Sequence, residues 1–70
     1  MEPVFFDKLQ YTGEYNEMSG KLIVTNVFTD DTVTRHYANK YTAKRGFERI
    51  VRKMMDNEAK ALDLRRNVKG

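Results

Sequence analysis

There is no cysteine in these 70 residues, no tryptophan, only one proline, and no long run of apolar side chains. Without cysteine, a disulfide framework, a thiolate zinc site and a cysteine nucleophile are all excluded, so stability must come from packing or from association. No stretch approaches the ~20 apolar residues of a membrane span, and the opening MEPVFFDK lacks the basic and apolar regions of a secretory signal. The expectation is a cytoplasmic protein in a reducing compartment. A chain this short forms one domain with a thin core and no room for a large cleft. Its length and its initial Met suggest a complete small gene product, a format common among phage-encoded and regulatory proteins.

Groups suited to catalysis are equally scarce. His36 is the only histidine, so a two-histidine metal site is excluded, and no carboxylates cluster at ligand spacing near it. Asp30 and Asp31 are adjacent, where turn chemistry favours aspartate, and neighbouring turn side chains diverge rather than converge on one bond. Ser19 has no histidine or lysine base nearby in sequence, and Gly13, Gly20 and Gly46 stand too far apart for a phosphate-cradling loop. No catalytic residue, metal ligand or cofactor is assigned, and the chain is not expected to be an enzyme.

Charge, in contrast, is abundant and unevenly placed. Residues 1–40 set Lys8, Lys21, Arg35 and Lys40 against Glu2, Asp7, Glu14, Glu17, Asp30 and Asp31. Residues 41–70 set Lys44, Arg45, Arg49, Arg52, Lys53, Lys60, Arg65, Arg66 and Lys69 against only Glu48, Asp56, Glu58 and Asp63. A basic half beside a mildly acidic half directs one surface toward polyanions or acidic proteins.

The hydrophobic pattern predicts three strands and a helix. Val4–Tyr11, rich in apolar and aromatic residues, reads as a strand, and Gly13–Gly20 as a loop from which Tyr15 and Met18 project. Residues 21–28 and 32–37 form a hairpin centred on Asp30-Asp31, which pairs Phe28 with Val33, Asn26 with Arg35 and Val24 with Tyr37. Leu22, Val24, Phe28, Val33 and Tyr37 then face a helix that Thr42 caps, and Ile23, Thr25, Val27, Thr34 and His36 face outward. At ~100° per residue, Ala43, Phe47, Ile50, Val51, Met54 and Met55 share the helix's apolar face, with Arg45, Arg49, Arg52 and Lys53 opposite. The predicted core is Phe6, Leu22, Val24, Phe28, Val33, Tyr37, Phe47, Ile50, Val51 and Met54. The fold class is thus α+β, a three-stranded antiparallel sheet packed against one long C-terminal helix, with residues 1–64 as the domain and 65–70 as a basic, frayed tail.

The segment Asn39-Lys40-Tyr41-Thr42-Ala43-Lys44-Arg45 gives the final helix a basic start. In this and in its element order the chain resembles the C-terminal half of double-stranded-RNA-binding domains, whose lysine-rich helix start grips phosphates. The three-strand-plus-helix outline also resembles the core of one class of DNA-binding domain. The likeness spans about half the chain; the RNA-binding family's first helix and loop motifs have no counterpart, and no family is assigned. Two functions are carried forward. The first is a non-catalytic nucleic-acid-binding accessory protein that uses Arg45, Arg49, Arg52 and Lys53, extended by Lys44 and Lys40, with groove contacts from the outer sheet face through Lys21, Thr25, Thr34 and His36. The alternative is a protein-interaction module, an inhibitor, a regulator or a self-associating dimer, that uses Tyr15, Met18, Ile23, Val27 and His36.

Overall fold

A computed structural model describes residues 2–68 of the protein, with side chains through Ala61. Four strands precede one helix: β1 Val4–Lys8, β2 Tyr11–Asn16, β3 Lys21–Asn26, β4 Thr32–His36 and α1 Lys40–Val68. The strands form an antiparallel meander in the order β1-β2-β3-β4, and α1 packs across β1, β2 and β3. The architecture is α+β as expected, with four strands instead of three.

The additional strand is β2, where a loop was expected. Along Tyr11-Thr12-Gly13-Glu14-Tyr15-Asn16, residues alternate strictly between buried and exposed, the period of a strand with one face on a core. Gly13 belongs to that alternation because the Phe47 ring occupies the space above it. A Cβ there would lie 2.6 Å from Phe47 Cδ1. Phe47 in turn stacks against Phe6 at 5.5 Å between ring centroids, so β1, β2 and α1 meet at one aromatic contact.

The β2–β3 and β3–β4 loops share one design, ten residues apart. In the first, Asn16 Oδ1 accepts the Met18 N–H at 2.9 Å, Asn16 O accepts the Gly20 N–H at 2.7 Å, and Gly20 adopts φ +74°. In the second, Asn26 Oδ1 accepts the Phe28 N–H at 2.9 Å, Asn26 O accepts the Asp30 N–H at 2.7 Å, and Asp30 adopts φ 64°. Each loop is therefore an asparagine followed, four residues on, by a left-handed residue. The Asn26 loop closes the hairpin between Asn26 and Asp31, so Val24 pairs with Val33 and Leu22 with Arg35. The expected centre at Asp30-Asp31 lies two residues too late. Because the resulting slip is even, the faces of β3 and β4 stay as expected, but Phe28 moves from the core into the loop, where it is 81 % exposed. Asp30→Gly, which supplies the residue the first loop already uses, is expected to stabilise the protein by ~0.5–1 kcal/mol, read as a rise of several degrees in thermal midpoint; an unchanged or lower midpoint would contradict the shared-loop account.

The core consists of Tyr11, Tyr15, Leu22, Val24, Ala43, Phe47, Val51 and Met54, with Val4, Phe6, Val33, Tyr37 and Ile50 packed around it. Of the predicted core, only Phe28 lies outside this group. The two tyrosines of β2 take the space left to it. Asn39, not Thr42, caps α1: its Oδ1 accepts the N–H groups of Tyr41 and Thr42 at 3.0 Å each. Thr42 instead accepts the Asn39 N–H at 3.3 Å and donates its hydroxyl to Asn39 O at 2.9 Å, so the two residues brace each other. Gly46 costs ~1 kcal/mol relative to alanine in a helix interior. It is buried beneath the Tyr37 phenol, whose Cζ and hydroxyl would collide with any Cβ at that position. The helix extends through Val68; the expected tail at 65–70 falls beyond the described side chains, with residues 69 and 70 outside the described residues.

Candidate nucleic-acid interface

The residues facing away from the sheet on α1 follow from helix geometry. With the apolar stripe of Ala43, Phe47, Val51 and Met54 fixed against the sheet, Arg45, Arg49 and Arg52 form the outermost ridge, at four- and three-residue steps. Lys53 flanks the ridge on the β4 side and Lys44 lies on the β1 side. All five, and Lys40 in the first turn, are exposed. Lys40 Nζ sits 5.6 Å from the centroid of the Tyr41 ring, which is itself exposed.

These cations are not where helix stability would put them. The first turn contains no acidic residue, and Lys40, Lys44 and Arg45 crowd the positive end of the helix macrodipole. Like charge at that end costs a few tenths of a kcal/mol per residue at an exposed site, whereas an anion there is favoured both by the dipole and by the side chains. Glu48 lines the groove at Arg45, Arg49 and Arg52, and Asp56 lines a second groove with Glu48 and Arg52, so the β1 flank of the ridge carries two carboxylates. The β4 flank differs: its groove is lined by Tyr37, Thr42, Arg45, Gly46 and Arg49, with no carboxylate.

Arg35, which the sequence reading had not assigned to the site, lies on β4 outside the residues that line this groove. Its register partner Leu22 faces the helix, so Arg35 does too, at the edge of the sheet. Tyr37, one residue past the end of β4, meets Gly46, and Val33 shares a groove with Met54 and Asn57. Arg35 Nη1 donates to Thr34 O at 2.8 Å, holding the side chain against the open strand edge. The signal in the sequence was parity: Arg35 lies between Val33 and Tyr37, two residues from each.

No family model, curated protein or solved structure matches the chain. Its site is therefore read from its own chemistry. Among the described residues, no group of three His, Cys, Asp or Glu could hold a metal ion, and no helix is long and apolar enough to cross a membrane.

The outer sheet face does not extend the basic ridge. Lys21 and His36 pair across β3 and β4, Thr25 stands between Thr12 and Thr32, and Thr34 is opposite Ile23. All lie on the side of the sheet away from α1, separated from Arg45, Arg49 and Arg52 by both layers of the fold. One nucleic-acid backbone lying along the ridge does not reach them, so the groove contacts expected from this face are not placed beside the ridge.

The residues assigned to protein contact are dispersed. Tyr15, expected to project from a loop, is fully buried, and its hydroxyl donates to Tyr37 O at 2.9 Å. Met18 is exposed at the β2–β3 loop, Val27 is half-exposed at the opposite end of the sheet, and Ile23 and His36 lie on the outer face. The larger apolar exposure is at the Val27 end, where the Val27 N–H donates to Gln10 O at 2.9 Å and ties the two turns carrying Leu9, Val27 and Phe28 together.

The inner polar cluster was also missed. Glu58, on the apolar stripe one turn past Met54, accepts the Tyr11 hydroxyl at 2.9 Å through Oε1 and the Asn26 side-chain amide at 2.6 Å through Oε2. Burial pushes the Tyr11 phenol up to about 12, helped by its hydrogen bond to Glu58 and the charge of that carboxylate. The cluster joins α1 to β2 and β3 and has no part in the basic surface.

Proposed function

We propose that the protein is a small, non-catalytic nucleic-acid-binding accessory protein that lays the outward ridge of α1 along a phosphate backbone. The observation that carries this reading is the exposed row Arg45, Arg49 and Arg52, flanked by Lys53, on the side of α1 turned away from the sheet. Successive arginines at four-residue spacing are ~6 Å apart along the helix axis, a separation that suits neighbouring phosphates on one strand. Arg35, Lys44 and Lys40 widen the positive surface on either flank. Contacts of this kind fix position on the backbone and carry no sequence information.

Fluorescence anisotropy with duplex DNA, duplex RNA and single strands over a salt series tests the proposal. Engagement of four cations predicts a slope of log K against log salt of about −4 for duplex DNA and a shallower one for single strands. Absence of binding at low salt with all three would sink it. A second reading, contact with a protein partner, is supported by Leu9, Val27 and Phe28, gathered and exposed at one end of the sheet. Sedimentation of the protein alone tests the simplest form of that reading, self-association: a monomer at high concentration would remove it.

A further inference from the structure

The geometry points to a discrete docking notch for one backbone phosphodiester on the β4 flank of α1, built from Tyr37, Arg45, Gly46 and Arg49. This deepens the proposed function and rests on it. Thr42, Arg45 and Arg49 step by three and four residues, and Gly46 lies four residues after Thr42 and three before Arg49, so the four share one side of the helix. Gly46 interrupts that side with a gap, and the tip of the Tyr37 phenol lies in it. The resulting groove, about 200 Å³, is lined by Tyr37, Thr42, Arg45, Gly46 and Arg49, which puts both arginines within reach of an anion seated over the phenol.

The Tyr37 side of the notch is held from behind. The Tyr37 backbone is fixed on both sides, its N–H donating to Gly20 O at 2.8 Å and its carbonyl accepting the Tyr15 hydroxyl at 2.9 Å. The phenol is thus positioned before any ligand arrives. The Thr42 hydroxyl is committed to the Asn39 carbonyl, so the groups left to serve an anion are the two arginine forks and the phenol O–H. A phosphodiester, singly charged and rich in acceptors, matches that donor set, and arginine pairs with phosphate in a directional, two-pronged manner. The groove itself is lined by no carboxylate; Glu48 lines the adjoining groove on the other side of the same two arginines.

A neutral donor and a cation leave different traces in a salt titration. Tyr37→Phe keeps the ring and its packing and removes one hydroxyl; it is expected to weaken oligonucleotide binding about three- to tenfold at every salt concentration without changing the slope, because no counterion-releasing charge is lost. Gly46→Ala, which puts a methyl where the phenol tip lies, is expected to weaken binding likewise, again at constant slope, with helix content retained by circular dichroism. Wild-type binding with both variants unchanged would overturn the notch and leave the charged ridge standing; a wild type that does not bind would overturn both. Inorganic phosphate separates the ligand sources. If it displaces the oligonucleotide no better than chloride at equal ionic strength, the backbone diester is supported, and displacement at low phosphate concentration would reassign the notch to phosphate monoesters and overturn the proposal.

Discussion

Glu58→Ala is expected to destabilise the protein by about 2–3 kcal/mol, a drop of roughly 10–20 °C in thermal midpoint for a domain of this size. The carboxylate accepts from two donors, the Tyr11 hydroxyl and the Asn26 amide, both belonging to residues with almost no exposed surface. Removing it leaves two desolvated donors without partners, and each costs ~1–3 kcal/mol, reduced here because the groove lined by Glu58, Met54 and Val33 admits water. For a chain with ~3–10 kcal/mol of total stability, that is a large share. Glu58→Gln keeps one acceptor, while the Tyr11 hydroxyl can turn to accept from the new amide, so an intermediate loss is expected. Urea unfolding followed by circular dichroism measures both; an alanine variant within 0.5 kcal/mol of wild type, on the order of an ordinary surface substitution, would show that the cluster is not structural.

The same cluster sets an alkaline limit. Because the folded protein holds the Tyr11 proton up to about 12, against the ordinary tyrosine value of 10.0 in the unfolded chain, the stabilisation is fully present below pH 10 and is lost as pH rises toward 12. Stability measured across that window should fall more steeply for wild type than for Tyr11→Phe. Equal slopes would mean that the phenol ionises as freely in the folded state as in the unfolded one.

Replacing Arg45, Arg49 and Arg52 together with glutamine should weaken nucleic-acid binding about a hundredfold near physiological salt and make the salt slope shallower by about three. Each phosphate contact contributes close to one unit of slope, and at such salt each is worth roughly fivefold in affinity. The three side chains are exposed and glutamine is a good helix former, so the fold should be retained, as the thermal midpoint would show. Should the triple variant bind as the wild type does, the ridge is a solvated helix face and nothing more.

The ridge was legible in the sequence because helical periodicity depends only on spacing, and Arg45, Arg49, Arg52 and Lys53 lie opposite an apolar stripe that was correctly placed except for Met55, which is 40 % exposed at the stripe's β1 edge. β2 was obscured by Gly13 within it and Gly20 in the loop that follows. Gly13 serves close packing under Phe47, yet glycine at both ends of a short segment carries the same signature as a loop, so the alternation of Tyr11, Gly13 and Tyr15 went unread. Glu58 was hidden by its charge, although its spacing from Phe47, Val51 and Met54 sets it on the buried stripe. The Asn26 hairpin could have been registered from the Asn16 loop ten residues earlier, since each runs from an asparagine to a left-handed residue four positions on, glycine in one and aspartate in the other. Tyr37 was assigned to the core, and its meeting with Gly46 depends on how far β4 extends before the chain turns into α1.

A meander followed by a helix also fixes an order of events. Every strand pairs with the strand next to it in sequence, across loops of two to five residues, so the sheet requires only short loop closures. The bond from Tyr11 to Glu58, in contrast, spans 47 residues. Contacts that local form early and contacts that distant form late, so the clasp of Glu58 on the sheet belongs to the native side of the folding barrier. Loosening that clasp should hasten unfolding while leaving the rate of refolding nearly untouched, and it is the lifetime of the folded protein, more than its speed of formation, that this one carboxylate governs.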